Sequence, residues 1–174
     1  MTHAVDAEAL AEVQRRSYAS ATAGFRAGWP EWQALDAEGL AALLGRHRYG
    51  VLATGRADGR PHAAPVAFTV ARGAFWIGTV AGLRLRNLRA TPWAALVVME
   101  GQRDEDEPDE AGAPHVALTV EGPVSVYEGE AMAAALVPLA KRWVDRHGHP
   151  PDWAEALLEL RPQRLFSHDA GRSA

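Results

Sequence analysis

Six short segments with strand-like patterns lie between Tyr49 and Tyr127, and only one short helical segment separates them. They cover residues 49–54, 62–70, 74–79, 94–100, 115–121 and 124–127. With only one short helical segment among them, these strands suggest an antiparallel arrangement rather than the βαβ units of a parallel sheet. The pattern therefore predicts a mainly β fold with flanking helices (α+β), built on a six-stranded antiparallel barrel.

The first two of these segments are predicted to form a hairpin with an open side. Ala57, Asp58 and Gly59 between them have turn chemistry. Pro61 and Pro65 cannot donate hydrogen bonds to a neighbouring strand, which favours an edge or an opening for the second strand. Backbone groups at such an opening are free to contact a ligand.

Helical patterns flank the predicted barrel. Asp36 can cap a helix whose leucines share one face and which Gly45 can close, and a weaker pattern precedes it. We expect residues 1–35 to form a helical arm and residues 36–174 the barrel domain, with an acidic loop at 102–114. A helix after Tyr127 should be kinked or divided by Pro138. Residues 152–160 are also predicted to be helical, and 164–167 to form a last strand.

Composition excludes several classes of function. The chain has 174 residues, a formal net charge of -4 and no cysteine. This balance gives no basic surface for non-specific nucleic-acid binding, and the missing thiols rule out disulfides and cysteine-based catalysis. No segment has the pattern of a signal peptide or a membrane span, so we expect a cytoplasmic protein that binds neither membrane nor nucleic acid.

The segment from Thr79 to Arg89 is the strongest candidate for ligand binding. It joins the third strand to a short helix and contains a hydroxyl group, Gly82 and several arginines. A phosphate can be held where guanidinium groups and free amides at a helix start converge. The alternative is that these arginines form an ordinary solvated helix face.

Four pieces of sequence, in this order, resemble the pyridoxamine 5'-phosphate oxidase-like (PPOX) split-barrel family. They are Gly50-Val51-Leu52-Ala53-Thr54, Asp58-Gly59-Arg60-Pro61-His62-Ala63-Ala64-Pro65-Val66, Phe75-Trp76-Ile77-Gly78-Thr79, and Arg84-Leu85-Arg86-Asn87-Leu88 leading to Pro92. The resemblance implies an FMN-binding split β-barrel that works as a homodimer, with the cofactor at the interface.

The resemblance also implies a set of cofactor-binding residues. Backbone contacts to the flavin ring are expected from His62, Ala63, Ala64 and Pro65. Phosphate contacts are expected from Thr79, Gly82, Leu83 and Arg84. Gly82 and Leu83 stand where the family commonly has a Ser-Arg pair, so phosphate binding is expected to be weaker or the cofactor different. No catalytic side chain is identified.

Several functions remain open on this scaffold. The first is an FMN-dependent oxidoreductase acting on a small molecule. The second is a reductase that uses the deazaflavin F420, whose anionic tail would favour a basic groove past Arg86 and Arg89. The third is a non-enzymatic protein that carries flavin or haem. A shared fold does not decide among these functions.

The histidines near the C-terminus are weaker candidates. His147 and His149 could suggest a metal pair, but a histidine after a helix commonly complements the helix dipole, and no metal site is predicted. His168, after the last strand, could reach a cofactor in a partner subunit. The tryptophans are predicted to pack in the core or at interfaces.

Overall fold

The computed structural model describes residues 2–100 and 116–171, so the predicted acidic loop at 102–114 lies outside the described residues. The helices are α1 Thr2–Ala19, α2 Ala23–Gly28, α3 Ala37–Arg46, α4 Leu83–Ala90, α5 Gly129–Leu136 and α6 Ala140–His147, with a 3₁₀ turn at Glu31–Gln33. The strands are β1 Tyr49–Gly55, β2 Pro61–Ala71, β3 Ala74–Thr79, β4 Trp93–Glu100, β5 Val116–Glu128, β6 Ala156–Leu160 and β7 Arg164–Asp169. In this part of the chain, no helix combines the length and apolar character needed to cross a membrane.

The strands form one closed antiparallel barrel. The order around it is β4, β1, β2, β3, β6 and β5, and pairing between β5 and β4 closes the ring. The seventh strand, β7, lies outside this ring and pairs with the first half of β5, while β6 pairs with the second half. The predicted six-stranded antiparallel split β-barrel with flanking helices is confirmed.

Alternate residues of the strands fill the barrel. Leu52, Phe68, Leu96 and Leu118 are almost completely buried in one core cluster. Burying side chains of this size contributes about 1.5–3 kcal/mol each. This inward-facing pattern is what makes the strands recognisable from sequence, because side chains alternate between the two faces of a sheet.

The predicted helix after Asp36 is also confirmed. The Asp36 carboxylate accepts a hydrogen bond of 2.8 Å from the Gly39 amide and caps α3. Leu40, Leu43 and Leu44 of α3 are buried against the barrel core. The helix ends at Arg46 rather than at Gly45, one residue later than the glycine suggested.

The N-terminal helix α1 packs against α3 and β7. Leu10 of α1 is buried in the same cluster as the barrel leucines. Tyr18 packs edge-to-face on Phe166 of β7, with ring centroids 5.1 Å apart. The structure thus gives the arm a position that the sequence did not reveal.

Two secondary-structure predictions are wrong. Residues 156–160 form strand β6 instead of a helix, because all five side chains are buried and the backbone pairs with both β3 and β5. This tertiary pairing overrides the helix propensity of an Ala-Leu-Leu-Glu-Leu segment. Segments 115–121 and 124–127 are not two strands, because β5 runs unbroken from Val116 to Glu128. It passes Gly122, where an added Cβ would overlap the Arg161 carbonyl.

The helix after β5 is divided at Pro138, as predicted. The first part, α5, ends at Leu136, and α6 begins at Ala140. Leu139 and Trp143 are buried in a second core cluster on the outside of β3 and β6. The proline interrupts the helical hydrogen bonds and lets the two parts follow the curved barrel surface.

Candidate functional site

The barrel is split between the first half of β2 and the end of β3. Residues 61–67 of β2 pair with β1 alone among the described strands, whereas Phe68 to Ala71 pair with β3. Gly78 and Thr79 of β3 have no partner on β2 and pair only with β6 among the described strands. An open gap therefore runs along the first half of β2, as its prolines predicted.

The two prolines of β2 lie at positions that suit this gap. The Phe68 amide donates to the Arg48 carbonyl, 3.1 Å away on the β1 side. Because backbone groups alternate sides along a strand, those of Pro61, Ala63 and Pro65 point away from β1. A proline costs no strand hydrogen bond there.

Arg84 of α4 bridges this gap. One terminal nitrogen donates to Thr79 Oγ1 on β3 over 3.1 Å, and the other donates to the Pro65 carbonyl on β2 over 3.3 Å. Within the described residues its Nε is enclosed but has no hydrogen-bond partner. Burial lowers the pKa of the Arg84 guanidinium, which nevertheless stays charged at physiological pH. The site thus holds a half-buried cation with an unused donor.

The start of α4 lies directly beside this cation. Gly82 is extended and makes no side-chain cap, and α4 begins at Leu83. The first amides of a helix lack intrahelical partners and attract anions. These amides and Arg84 therefore provide donors for a phosphate-sized anion.

Glu155, which the sequence did not single out, contacts the same loop. Its carboxylate accepts a hydrogen bond from the Ala81 amide, and its own amide donates to the Thr79 carbonyl over 2.9 Å. The erroneous helix prediction for 152–160 hid this contact. The negative charge of Glu155 beside α4 disfavours the binding of an anion there.

A buried polar contact fixes α4 on the hairpin. Asn87, 4% exposed, donates to Thr54 Oγ1 on β1 over 3.0 Å. The Thr54 hydroxyl in turn lies 3.5 Å from the His62 carbonyl. His62 Nδ1 is enclosed and has no partner among the described residues. Through Thr54, the contact links α4 to the open half of β2.

The predicted site residues thus form one continuous surface. Pro65, Thr79 and Arg84 are in direct contact. Gly82 and Leu83 form the adjoining helix start. His62, Ala63 and Ala64 precede Pro65 on the open half of β2. Their role in binding a cofactor stays a prediction.

Positive charge does not continue evenly along α4. The Arg86 side chain is exposed and makes no hydrogen bond or ion pair with the described residues. Arg89 pairs with Glu128 at 2.5 Å. Of the two arginines past Arg84 that would favour an F420 tail, only Arg86 is thus unpaired in the part of the chain that the structure describes.

The weaker candidates lie elsewhere. His147 Nε2 is 3.1 Å from the Phe68 carbonyl, its ring packs on Trp143, and burial lowers its pKa. His168 packs on Trp29, with ring centroids 5.5 Å apart. Trp76 donates to the Ala71 carbonyl and stacks on Tyr127, which is a packing role. Over the described ranges, three or more metal-binding side chains do not converge anywhere.

An apolar face adjoins the gap on the outside of the barrel. Val51 lies opposite both Pro65 and Val97, so these side chains share one face of the sheet. On this face Tyr49 is 66%, Val51 44% and Met99 70% exposed. Apolar surface of this kind is typical of an interface.

Solved structures with the same fold come from several proteins. A conserved hypothetical protein of Mycobacterium tuberculosis superposes with a TM-score of 0.66 at 20% identity, over 81% of this chain and 89% of that chain. A FAD-binding protein of Mesorhizobium loti gives 0.58 at 16% identity, over 79% and 97%. A protein described as an F420 reductase gives 0.50 at 26% identity, over 71% and 93%. Among curated protein sequences, none matches this chain.

The family itself is identified by sequence. The family profile described as pyridoxamine 5'-phosphate oxidase matches residues 37–169. This range contains every strand of the barrel and all the residues around the gap. The chain belongs to the pyridoxamine 5'-phosphate oxidase family.

Proposed function

We propose that the protein is a homodimer that binds FMN along the gap beside β2 and acts as an oxidoreductase on a small molecule. The observation that carries this proposal is the position of Arg84. Its guanidinium bridges β2 and β3 beside the start of α4, with one donor unused. An anionic group bound there would satisfy this donor and compensate the charge.

The residues around the gap fit the two ends of FMN. Arg84, Thr79 and the first amides of α4 would hold the phosphate. The backbone groups of Ala63 and Pro65 that point away from β1, together with enclosed His62 Nδ1, would contact the polar edge of the flavin ring. The small side chains of Ala63 and Ala64 would leave room for a planar ring beside the strand.

The apolar face supports dimerisation. It includes Pro65, which also contacts Arg84, so the interface and the candidate cofactor site are continuous. A second subunit on this face would bury Tyr49 and Val51 and would supply the outer wall of the gap. Burying the face would also exclude water from the ring.

When bound, FMN supplies the capacity to transfer a hydride or single electrons. The chain's own part is to position the ring, to hold the phosphate and to limit solvent access. No side chain is assigned a catalytic role. A phosphorylated substrate would need further cations facing the gap, and Arg89 is already paired with Glu128. We therefore favour an uncharged or weakly charged substrate.

The second candidate is F420. The 26% identity to the F420 reductase structure and the exposed Arg86 favour it. The Arg89–Glu128 pair disfavours it, because an extended anionic tail gains little from a neutralised arginine. FMN requires only the cation and amides at the start of α4.

The direct test is the absorption spectrum of the freshly purified protein, followed by titration with FMN, F420 and haem under the same conditions. A flavin spectrum or saturable FMN binding is the expected result. Selective F420 binding would favour the second candidate, and a Soret band would indicate haem. No binding of any of the three would overturn the proposal.

A second measurement separates an enzyme from a carrier. The flavin-loaded protein is reduced chemically in the absence of oxygen, and small-molecule electron acceptors are added. Reoxidation that depends on the acceptor and is faster than that of free reduced FMN is expected for an oxidoreductase. A rate equal to that of free FMN with every acceptor would support a non-enzymatic carrier.

A further inference from the structure

A cavity of about 670 Å³ lies between α1, α6 and the turn that joins β2 to β3. Five cationic side chains line it, from Arg48, Arg72, Lys141, Arg142 and Arg146. Arg84 and α4 are not among its lining residues, so it is separate from the proposed cofactor site. A pocket of this volume is large enough for a small-molecule ligand.

Part of this charge holds the fold together. β1 begins at Tyr49, which leaves the β1 side of β2 without a strand beyond Phe68. Arg146 Nε donates to the Phe68 carbonyl over 2.9 Å, and Arg142 donates to the Val70 carbonyl over 2.7 Å. These two arginines therefore satisfy the carbonyls that β1 leaves unpaired.

The carboxylates at the cavity do not neutralise the cations. Asp145 pairs with Lys141 at 2.5 Å. Asp6 pairs with Arg142 at 2.6 Å and also accepts a hydrogen bond from the Gly73 amide. Five cations against these two carboxylates give the lining a net charge of +3.

Donors remain unused after this pairing. Arg142 Nη2 is enclosed and has no partner among residues 2–100 and 116–171. Neither Arg48 nor Arg72 has an ion pair or side-chain hydrogen bond in that part of the chain. Burial is the main cause that lowers the pKa of Arg146 to about 10, and the charges of Arg48 and Arg142 lower it further. Such crowding of like charges is relieved when an anion binds.

The backbone at Arg72 provides an independent observation. Arg72 has φ 57° and Gly73 has φ 69° in the two-residue turn between β2 and β3. Such turns favour Asn, Asp or Gly at the first position, because a left-handed backbone strains most side chains. An arginine at this position does not favour the stability of the turn, but it brings a guanidinium to the cavity.

We propose that this cavity binds a small phosphorylated compound with two or more negative charges, held by Arg48, Arg72 and Arg142. Guanidinium groups suit this chemistry because each can donate two parallel hydrogen bonds to phosphate oxygens. The site is independent of the proposed flavin site.

The test is calorimetric titration with inorganic pyrophosphate at about 0.15 M ionic strength, where weak surface attraction is screened. Saturable binding with one site per chain is expected. The double variant Arg48→Gln/Arg72→Asn should bind at least about tenfold more weakly, because two guanidinium groups are lost. Its melting temperature should equal or exceed the parent's, since neither side chain makes a described structural contact and Asn suits the turn better than Arg.

Two controls make the result specific. Arg15→Gln/Arg16→Gln removes the same charge from the exposed face of α1 and should leave the affinity within about twofold. Arg84→Ala should also leave it unchanged, which separates this cavity from the α4 site. Absence of saturable binding, equal losses in the two double variants, or loss of binding in Arg84→Ala would overturn the proposal.

Discussion

The barrel has two strand edges that the rest of the chain treats differently. At β7, the arm covers the edge: the Leu165 amide donates to Ser17 Oγ over 2.9 Å, and Tyr18 donates to the Ser167 carbonyl over 2.8 Å. Ser167 Oγ, fully buried, also accepts from the Leu35 amide and donates to Gln14. Each of these groups on β7 has a partner within the chain.

The first half of β2 has no such cover. Its outward carbonyl at Pro65 meets only Arg84, whose Nε is itself without a partner among the described residues. His62 Nδ1 is enclosed and likewise unpartnered there. The neighbouring apolar side chains of Tyr49 and Val51 are exposed.

The difference indicates where partners from outside the chain are expected. Buried polar groups in folded proteins are nearly always hydrogen-bonded, because an unsatisfied group costs about 1–3 kcal/mol. The chain satisfies this requirement at β7 with its own arm. The central proposal is that a cofactor and a second subunit meet this requirement at β2.

The largest expected effect comes from a substitution that tests the proposed dimer interface. Val51→Arg places a charge in the middle of the exposed apolar face. A symmetric dimer carries the substitution twice, so we expect dimerisation to weaken by at least about 4 kcal/mol. Light scattering over a range of micromolar concentrations measures the shift to monomer. Val137→Arg, 77% exposed after α5, is the matched control, and an equal response in both variants would contradict the proposed interface.

The next effect tests the covered edge. Ser167→Ala removes the hydroxyl that joins β7, Leu35 and Gln14, and leaves two buried groups without a partner. We expect the free energy of unfolding to fall by about 2–3 kcal/mol, measured by urea denaturation. FMN affinity should not change. Ser20→Ala, which removes only local helix contacts, should cost less than about 0.5 kcal/mol.

Arg84→Ala tests the uncovered edge at β2. In contrast to Ser167→Ala, it should affect FMN binding more than stability. We expect FMN binding to weaken by about 1.5–3 kcal/mol, the range for hydrogen bonds to charged groups. The free energy of unfolding should change by less than about 1 kcal/mol, since one donor of this arginine is unused. Flavin fluorescence quenching gives the affinity. Arg86→Ala on the same helix should alter it less than about threefold; losses of the same size would place the phosphate elsewhere.

The smallest effect concerns Glu155. Glu155→Gln keeps an acceptor for the Ala81 amide but removes negative charge beside α4. FMN binding should become stronger by about 0.3–1 kcal/mol, as expected for charges at a helix start. The gain should shrink as salt is added. Glu8→Gln on α1 is the control and should leave FMN binding unchanged. Weaker FMN binding in Glu155→Gln would contradict this prediction, because it would show that the carboxylate supports the site.

Much of the barrel could be predicted because its signals are local. The turn at Gly59, the prolines of β2 and the Asp36 cap each act within a few residues. Strand β6 could not be predicted, because its burial depends on β3 and β5, which are distant in sequence. The docking of α1 could not be predicted either, since it depends on polar contacts between residues such as Tyr18 and Ser167.

The candidate site also contains one residue that could be predicted from the sequence and one that could not. The family resemblance implies a role for Arg84 in a segment that joins a strand to a helix, and the structure brings this residue to Thr79 and Pro65. Glu155 was missed because its position depends on β6 pairing with the end of β3. The resemblance therefore indicated the cation of the candidate site but not the acidic group beside it.

Amide hydrogen exchange, measured residue by residue with and without FMN, tests the central claim most directly. The Ala63 amide points into the gap, whereas the Leu165 amide is bonded to Ser17. We predict that FMN slows exchange at Ala63 by at least about tenfold and leaves Leu165 unchanged. If bound FMN leaves Ala63 and the rest of the first half of β2 unchanged, the uncovered edge is not the cofactor site.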